Sequence, residues 1–242
     1  MARLHFSTLS DRGIRATNND AFCAEKAGKY YVFGVAEGLS DPAPEENASA
    51  IAISCLREIA KEHPADPGKV LETVVRESDA RISASREKFP EQGKDVTHLS
   101  ACLVDDALEC TILDTGEGNA YLISGDSILL PRELVPSPHP GRAENHAPGP
   151  GMGEKGPVMI SHTLGEPRIL AKNDIITVNL TDRFLLLSSG GLHDFVGKER
   201  IKEIILANGE NVEASGEFLL QEALSAGSAQ AITLVLVHGH RH

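Results

Sequence analysis

Apolar residues in the first third of the chain follow two different periods. Three short apolar runs are typical of β-strands, and they lie at 4–9, 21–26 and 30–36. Residues 27–29 separate the last two runs and predict a hairpin. From 45 to 62 apolar residues recur every three or four positions, which predicts an amphipathic helix. A second helix is predicted from 70 to about 86, and Asp66-Pro67 before it is a suitable start, because proline is tolerated in a first turn.

In the remainder of the chain the pattern predicts many short strands, then two helices and a last strand. Strands are predicted at 99–104, 108–113, 120–124, 127–130, near 158, and at 174–179, 183–188 and 231–237. Helices are predicted at 197–206 and 212–226. Because strands and helices do not alternate one by one, we expect an α+β fold, an antiparallel β-sandwich flanked by α-helices. The length of 242 residues fits a single domain over 1–242.

The segment 131–157 breaks this pattern. It contains seven prolines and five glycines among its 27 residues. A segment so long and so rich in breakers is not a core element, so we expect a surface loop or a flap. Residues 151–156 match the string GxGxxG, but no strand is predicted before them and no helix after them. A dinucleotide site is therefore not expected there.

Composition narrows the functional classes. The formal net charge is −12 at pH 7, which argues against a nucleic-acid partner. No apolar run is long enough to span a bilayer, and the N-terminus does not resemble a signal peptide, so we expect no membrane association. Four cysteines lie in apolar segments without metal-type spacing, which is typical of reduced thiols in a cytoplasmic protein.

The stretch 32–49 is the first candidate for chemistry. Its apolar run ends in Glu37 and Gly38, before a loop and a predicted helix start. A strand holds such a carboxylate in place, and a glycine lets another group approach its backbone. Two interpretations of Glu37 are open: a solvated carboxylate at a strand end, or a residue that binds a single metal ion or relays a proton.

Seven short segments in order along the chain extend this candidate site. They are SDRGIRATNNDAF, VAEGLSDPAPEENAS, THLSACLV, TGEGNAYLIS, HTLG, FLLLSSGGLHDFV and GSAQAITLVLV. Together they resemble the metal-dependent Ser/Thr protein phosphatases of the 2C (PPM) type, from about residue 10 to residue 237. The resemblance implies a β-sandwich flanked by helices, with a two-metal centre at one edge. Two Mn²⁺ or Mg²⁺ ions there would activate a water for attack on a phosphate ester.

Carried onto this sequence, the resemblance assigns Glu37 and the carbonyl of Gly38 to the metal centre. Glu37 stands where the family has a bridging aspartate, and its carboxylate reaches further by one C–C bond, about 1.5 Å. Two other positions at which the family has metal-binding aspartates hold Gly190 and Gln230. The carboxylates that a two-metal centre needs are thus largely missing.

Four further residues belong to the candidate site. Arg15 matches the phosphate-contacting arginine of the family, and an ion pair with a nearby carboxylate is its alternative role. Asp20 matches a neighbour of the metal centre. Asp41 and Asp194 are the remaining carboxylates that a rearranged centre would use, although a helix N-cap is the simpler role for Asp194.

Histidines offer two more possibilities. His193 is either a substitute metal ligand or a surface residue. The C-terminal sequence HGHRH places His238, His240 and His242 at alternating positions, and adventitious binding of a soft metal is one interpretation of this pattern. A frayed polar tail is the simpler expectation.

These observations favour a degenerate, pseudophosphatase-like member of the family. We expect it to be catalytically weak or inactive, with Mn or Mg as its cofactor if it binds any, and to serve a regulatory role. Its partner would be a phosphoprotein or a regulatory protein. The alternatives are an active Mn/Mg-dependent Ser/Thr phosphoprotein phosphatase with a rearranged metal site, and a pure interaction scaffold that presents 131–157 to its partner.

Overall fold

The computed structural model describes residues 2–39, 47–62, 66–89, 95–116, 120–125, 127–134, 163–166 and 174–241. The strands are β1 (Ala2–Asp11), β2 (Ala21–Ala27), β3 (Tyr30–Gly38), β4 (Thr97–Val104), β5 (Glu109–Asp114), β6 (Ala120–Ser124), β7 (Ser127–Leu129), β8 (Ile175–Asn179), β9 (Arg183–Ser188) and β10 (Ile232–Arg241). The helices are α1 (Ala48–Glu62), α2 (Pro67–Lys88), α3 (Gly190–His193), α4 (Lys198–Asn208) and α5 (Val212–Ser225), and a 3₁₀ helix lies at Pro131–Leu134.

The strands form two sheets of five strands each. One sheet has the order β1-β10-β9-β6-β7 and the other the order β2-β3-β4-β5-β8. Neighbouring strands are antiparallel at every pairing. Helices α1 and α2 pack on the outer face of the second sheet, and α3, α4 and α5 pack on the outer face of the first. The α+β sandwich predicted from the order of elements is confirmed.

Strand β3 is apolar along its length because both of its faces are covered, one by helices and the other by the opposite sheet. Val32 packs against the helices α1 and α2, whereas Phe33 faces the opposite sheet. Because successive side chains of a strand point to opposite faces, a strand covered on both sides is apolar at every position. Strand β10 follows the same rule, with Leu236 toward the helices and Val237 toward the opposite sheet.

The predicted hairpin between β2 and β3 forms. Gly28 and Lys29 connect the two strands, and Gly28 has a φ of +61°. A residue with a Cβ adopts this conformation only with strain, so the turn depends on glycine.

Several predicted elements differ from the structure. Helix α2 starts at Pro67, as the sequence Asp66-Pro67 indicates, although its apolar period begins only at residue 70; Asp66 caps it by accepting the N–H of Lys69 at 3.1 Å. Helix α3 is not predicted, because four residues are too few for a helical period. The predicted strand near 158 and residues 135–157 of the proposed flap lie outside the described residues. Among the residues described, no helix is long and apolar enough to cross a membrane.

The polar C-terminus is not the frayed tail that its sequence predicts. Residues 238–241 continue β10, and His238 pairs with His5 of β1. His238 is buried, and its ring stacks on Phe184 with the centroids 4.1 Å apart. Strand β1 supplies hydrogen-bond partners up to the end of β10, and this pairing outweighs the polarity of the segment. His242 lies outside the described residues.

Candidate active site

Four segments meet at one end of the two sheets: the loop after β1, the end of β3, the start of α3 and the residues before β10. Backbone atoms of one segment contact the Cα of a glycine in another, with no room for a Cβ. These contacts join Gly13 to Gln230, Gly38 to Asn19 and Gly191 to Ala231. The four segments are therefore packed backbone against backbone, which only glycine permits.

Glu37 is held by the ladder between β3 and β4. It lies opposite His98, and its backbone carbonyl accepts a hydrogen bond from Thr97 Oγ1 at 2.7 Å. Its half-buried side chain extends toward α3. There the Oε1 atom lies 2.7 Å from the position that a Cβ on Gly190 would occupy.

Three side-chain oxygens converge on Gly190. Beside Glu37 Oε1, the Oδ2 atom of Asp194 lies 3.1 Å and the Oε1 atom of Gln230 lies 3.4 Å from the same Cβ position. The structure therefore brings together Gly190 and Gln230, the two positions at which the resemblance implies aspartates, with Glu37 and Asp194. The sequence motifs indicate each of these residues separately, but not their convergence on one point.

Asp194 lies one helical turn after Gly190, and the N-cap role predicted for it is wrong. Its backbone N–H donates to the carbonyl of Gly190 at 3.0 Å, so Asp194 ends α3. Helix α4 has Gly197 at its N-cap instead. A spacing of four residues places two positions on the same side of a helix, which brings the Asp194 carboxylate next to Gly190. His193 Nε2 lies 3.6 Å from Asp194 Oδ1.

Ser189 attaches the start of α3 to the first residues of β10. It is fully buried, and its hydroxyl donates to the carbonyl of Ala231 at 3.2 Å. The same oxygen accepts the N–H of Thr233 at 2.9 Å. Sequence reasoning missed this residue, because a serine in the string SSGG does not indicate which strand it will contact.

Asp20 lies beside this cluster, in contact with Ser189 and Gly38. Burial raises the pKa of its carboxyl, while polar contacts with Ser189, Thr233 and the backbone of Gly38 lower it. The positive charge of Arg15 lowers this pKa by the smallest amount. The Oδ2 atom is buried and has no hydrogen-bond partner among the described residues.

Arg15 lies in the loop after β1, on a tight turn. Asp11 Oδ1 accepts the N–H of Gly13 at 2.7 Å, and the N–H of Arg15 donates to the carbonyl of Arg12 at 3.2 Å. The side chain of Arg15 is half-buried. Within the described ranges no salt bridge involves Arg15, and Asp20 is the carboxylate on which its charge acts.

The described residues do not fit a two-metal centre. No group of three or more His, Cys, Asp or Glu side chains among them is placed to hold a metal ion. Gly190 supplies no side chain and Gln230 supplies a neutral amide, whereas two hard dications need several converging carboxylates. Asp41, a weaker metal candidate, lies outside the described residues.

This chain is similar to known proteins in its structure, whereas comparisons of its sequence found no match. No family model matches the sequence, and no curated protein matches it. The serine/threonine phosphatase PstP of Mycobacterium tuberculosis is 23% identical over 99% of both chains, with a TM-score of 0.74. The PstP catalytic domain in complex with two manganese ions is 22% identical over 100% of both chains, with a TM-score of 0.74.

The serine/threonine phosphatase Stp1 from Staphylococcus aureus gives a similar result. It is 20% identical over 98% of this chain and 95% of its own, with a TM-score of 0.76. Similarity over nearly the whole length confirms the fold that the sequence resemblance implies. The chain therefore has the protein phosphatase 2C-like fold, which it shares with these bacterial serine/threonine phosphatases.

Proposed function

We propose that the protein is a pseudophosphatase, a catalytically weak or inactive domain with a regulatory role that binds a phosphoprotein or a regulatory protein. One observation carries the proposal. The Oε1 atom of Glu37 lies 2.7 Å from the point where a side chain at position 190 would begin. The space in which a metal-binding aspartate would start is therefore already in contact with another carboxylate.

Electrostatics explains why this arrangement disfavours a pair of metal ions. Two dications 4 Å apart repel each other by roughly 16 kcal/mol at an effective dielectric constant of about 20. Several carboxylates must offset this repulsion. Gly190 and Gln230 each remove one negative charge from the place where it would be needed. The carboxylates that remain near Gly190 are those of Glu37 and Asp194.

The test of inactivity is a phosphatase assay on p-nitrophenyl phosphate and on a phosphopeptide, with Mn²⁺ and with Mg²⁺. The PstP catalytic domain serves as a positive control, and the Glu37→Ala variant as the matched negative control. We expect the unmodified chain and Glu37→Ala to hydrolyse both substrates at the same background rate. Robust turnover that Glu37→Ala abolishes would refute the proposal.

Arg15 is the residue to which we assign phosphate binding. Its positive charge acts on Asp20, and no salt bridge involves it within the described part of the chain. A charged hydrogen bond to phosphate contributes about 1.5–3 kcal/mol. The Arg15→Gln variant should therefore bind a phosphopeptide at least about tenfold more weakly in calorimetry. Arg76→Gln, which removes an exposed arginine of α2, should bind normally. Equal binding by both variants would rule out this role of Arg15.

An active phosphatase with a rearranged metal site is the second candidate. The convergence of Glu37 Oε1 and Asp194 Oδ2 on Gly190, beside the buried Oδ2 of Asp20, favours it. Titration with Mn²⁺ by calorimetry distinguishes the two candidates, since a pseudophosphatase with this site should show no stoichiometric binding of two ions. The proposal also includes a cytoplasmic location, which the free and buried cysteines favour.

A further inference from the structure

Strand β1 forms an edge of its sheet. Strand β10 pairs with it along its whole length, and no strand among the described residues pairs with its other side. Residues 232–239 of β10 are all buried, whereas within residues 3–11 of β1 only Ser7 is buried. The outer side of β1 therefore presents a row of backbone N–H and C=O groups with which a further strand can pair.

The sequence of β1 lacks the features with which proteins usually protect such an edge. It has no proline and no lysine, and its register with β10 runs without a bulge from Ala2 to Asp11. The side chains of β1 that are charged at pH 7 are those of Arg3 and Asp11, near its two ends. The stretch between them presents no electrostatic barrier to a second strand.

Phe6 adds an exposed apolar side chain to this edge. It is 38% exposed, although its ring packs edge-on against Phe33 with the centroids 5.2 Å apart. Phe22 of β2, an edge strand of the other sheet, is 37% exposed. Because β10 contacts both β2 and β3, β1 and β2 lie on the same side of the sandwich. That side therefore exposes two aromatic rings beside an open strand edge.

We propose that β1 is a dimerisation edge, at which β1 of a second copy of this chain pairs with it in antiparallel orientation around a two-fold axis. The two sheets that contain β1 then join into one continuous sheet, and the contact is self-complementary, as two-fold symmetry requires. Dimerisation of this kind is independent of the proposed function, because β1 contains none of the candidate site residues.

The charges at the two ends of β1 favour a second copy as the occupant. When Ser7 lies on the two-fold axis, Arg3 of each copy is directly opposite Asp11 of the other, and an ion pair forms at each end of the new ladder. Arg3 is exposed, and no salt bridge involves it among the residues described. Asp11 accepts the N–H of Gly13 with its Oδ1 atom, which leaves Oδ2 for Arg3.

Other registers lose this match. Paired residues keep their side chains on the same face only when the register changes in steps of two residues. One step places Arg3 opposite Leu9 in one direction, and beyond the end of β1 in the other. The register centred on Ser7 also places the two Phe6 rings diagonally across the ladder, within reach of each other. It therefore combines the two ion pairs with a contact between exposed aromatic side chains.

Analytical ultracentrifugation of the unmodified chain from about 1 to 200 µM tests the dimer. A strand ladder buries less area than a standard interface, so we expect a dissociation constant in the micromolar range. Arg3→Asp places two carboxylates opposite each other at both ends of the ladder, and Asp11→Arg places two guanidinium groups there. Each variant alone should dimerise at least about tenfold more weakly, because like charges lie directly opposite.

An equimolar mixture of the two variants is the decisive sample. In a heterodimer both ends of the ladder again join one carboxylate to one guanidinium, so the mixture should dimerise about as tightly as the unmodified chain. Arg76→Asp makes the same change of charge on the exposed surface of α2, and as the control it should not affect dimerisation. Asp11→Asn keeps an acceptor for Gly13 and replaces Asp11→Arg should the latter not fold.

Three results would overturn the proposal. The unmodified chain could stay monomeric at the highest concentration, which would show that the edge does not bind a second copy. A dimer that Arg3→Asp does not weaken would have its interface elsewhere. A mixture no more dimeric than either variant alone would contradict the pairing of Arg3 with Asp11.

Discussion

The carbonyl oxygen of Ala231 lies directly against the Cα of Gly191, with no space for a methyl group between them. Gly191 is the second residue of α3, and Ala231 immediately precedes β10. This contact sets how closely α3, and with it Gly190 and Asp194, approaches the first residues of β10. Because the contacting atom belongs to the backbone, no change of rotamer relieves an added Cβ.

Gly191→Ala should therefore destabilise the protein strongly, by about 3 kcal/mol. Gly197→Ala is the matched control, since a Cβ there meets nothing within 4 Å and its cost should be at most about 1 kcal/mol. Urea denaturation followed by circular dichroism measures both. Equal stability of the two variants would contradict the close approach of α3 to Ala231.

Asp95 caps α1 from a distant part of the chain. Its Oδ2 atom accepts the N–H of Ala48 at 2.5 Å in a buried position. Asp95→Ala leaves that N–H buried without an acceptor, so we expect a loss of about 2–3 kcal/mol in the free energy of unfolding. The exposed cap Asp66 of α2 is the control, and Asp66→Ala should cost only about 1 kcal/mol. Urea denaturation measures both losses. A loss for Asp95→Ala no larger than that for Asp66→Ala would contradict the buried capping role of Asp95.

A hydrogen bond from Ser49 connects α1 to the segment that contains Asp20. Its buried hydroxyl donates to the carbonyl of Asn19 at 2.5 Å. Ser49→Ala should lower Tm by roughly 4–8 °C, the equivalent of about 2 kcal/mol, because the buried carbonyl loses its donor. Ser54→Ala, which removes an exposed hydroxyl of the same helix, should leave Tm nearly unchanged. A comparable shift for both serines would show that the link to Asn19 does not stabilise the fold.

We expect His238 to make the stability of the fold dependent on pH. Burial is the largest cause that lowers the pKa of His238 below its ordinary value of 6.5, and the neighbouring His240 and His5 lower it further. Glu210 and Asp182 oppose this change. The unfolded chain therefore takes up the proton more readily than the folded chain. The contribution of His238 to stability is present above pH 6.5 and is lost as the pH falls through the lower folded pKa.

His238→Phe removes this titration and keeps a ring against Phe184, on which His238 stacks at 4.1 Å. The variant should lose less stability than the unmodified chain when the pH falls from 7.5 to 5. Urea midpoints across this range give the comparison. Parallel curves for the two proteins would show that His238 does not titrate on unfolding.

The fold could be predicted from the sequence to a large extent. Strands such as β3 and β10 are covered on both faces, so their apolar runs are long enough to be recognised. Only one face of helix α1 packs against a sheet, so its apolar residues recur with the helical period. Helix α3 has no such pattern, and the polar end of β10 becomes a strand only because β1 pairs with it.

The candidate site could be predicted residue by residue, but its shape could not. The motifs alone directed attention to Glu37, Gly190 and Gln230, as positions at which the resemblance implies aspartates. Only the tertiary structure decided that these positions meet at one point, because β3 and α3 are far apart in the chain and touch through the packing of two sheets. Their contact depends on differences of a few tenths of an ångström in the distances between atoms of the two elements, which residue types and spacing do not encode.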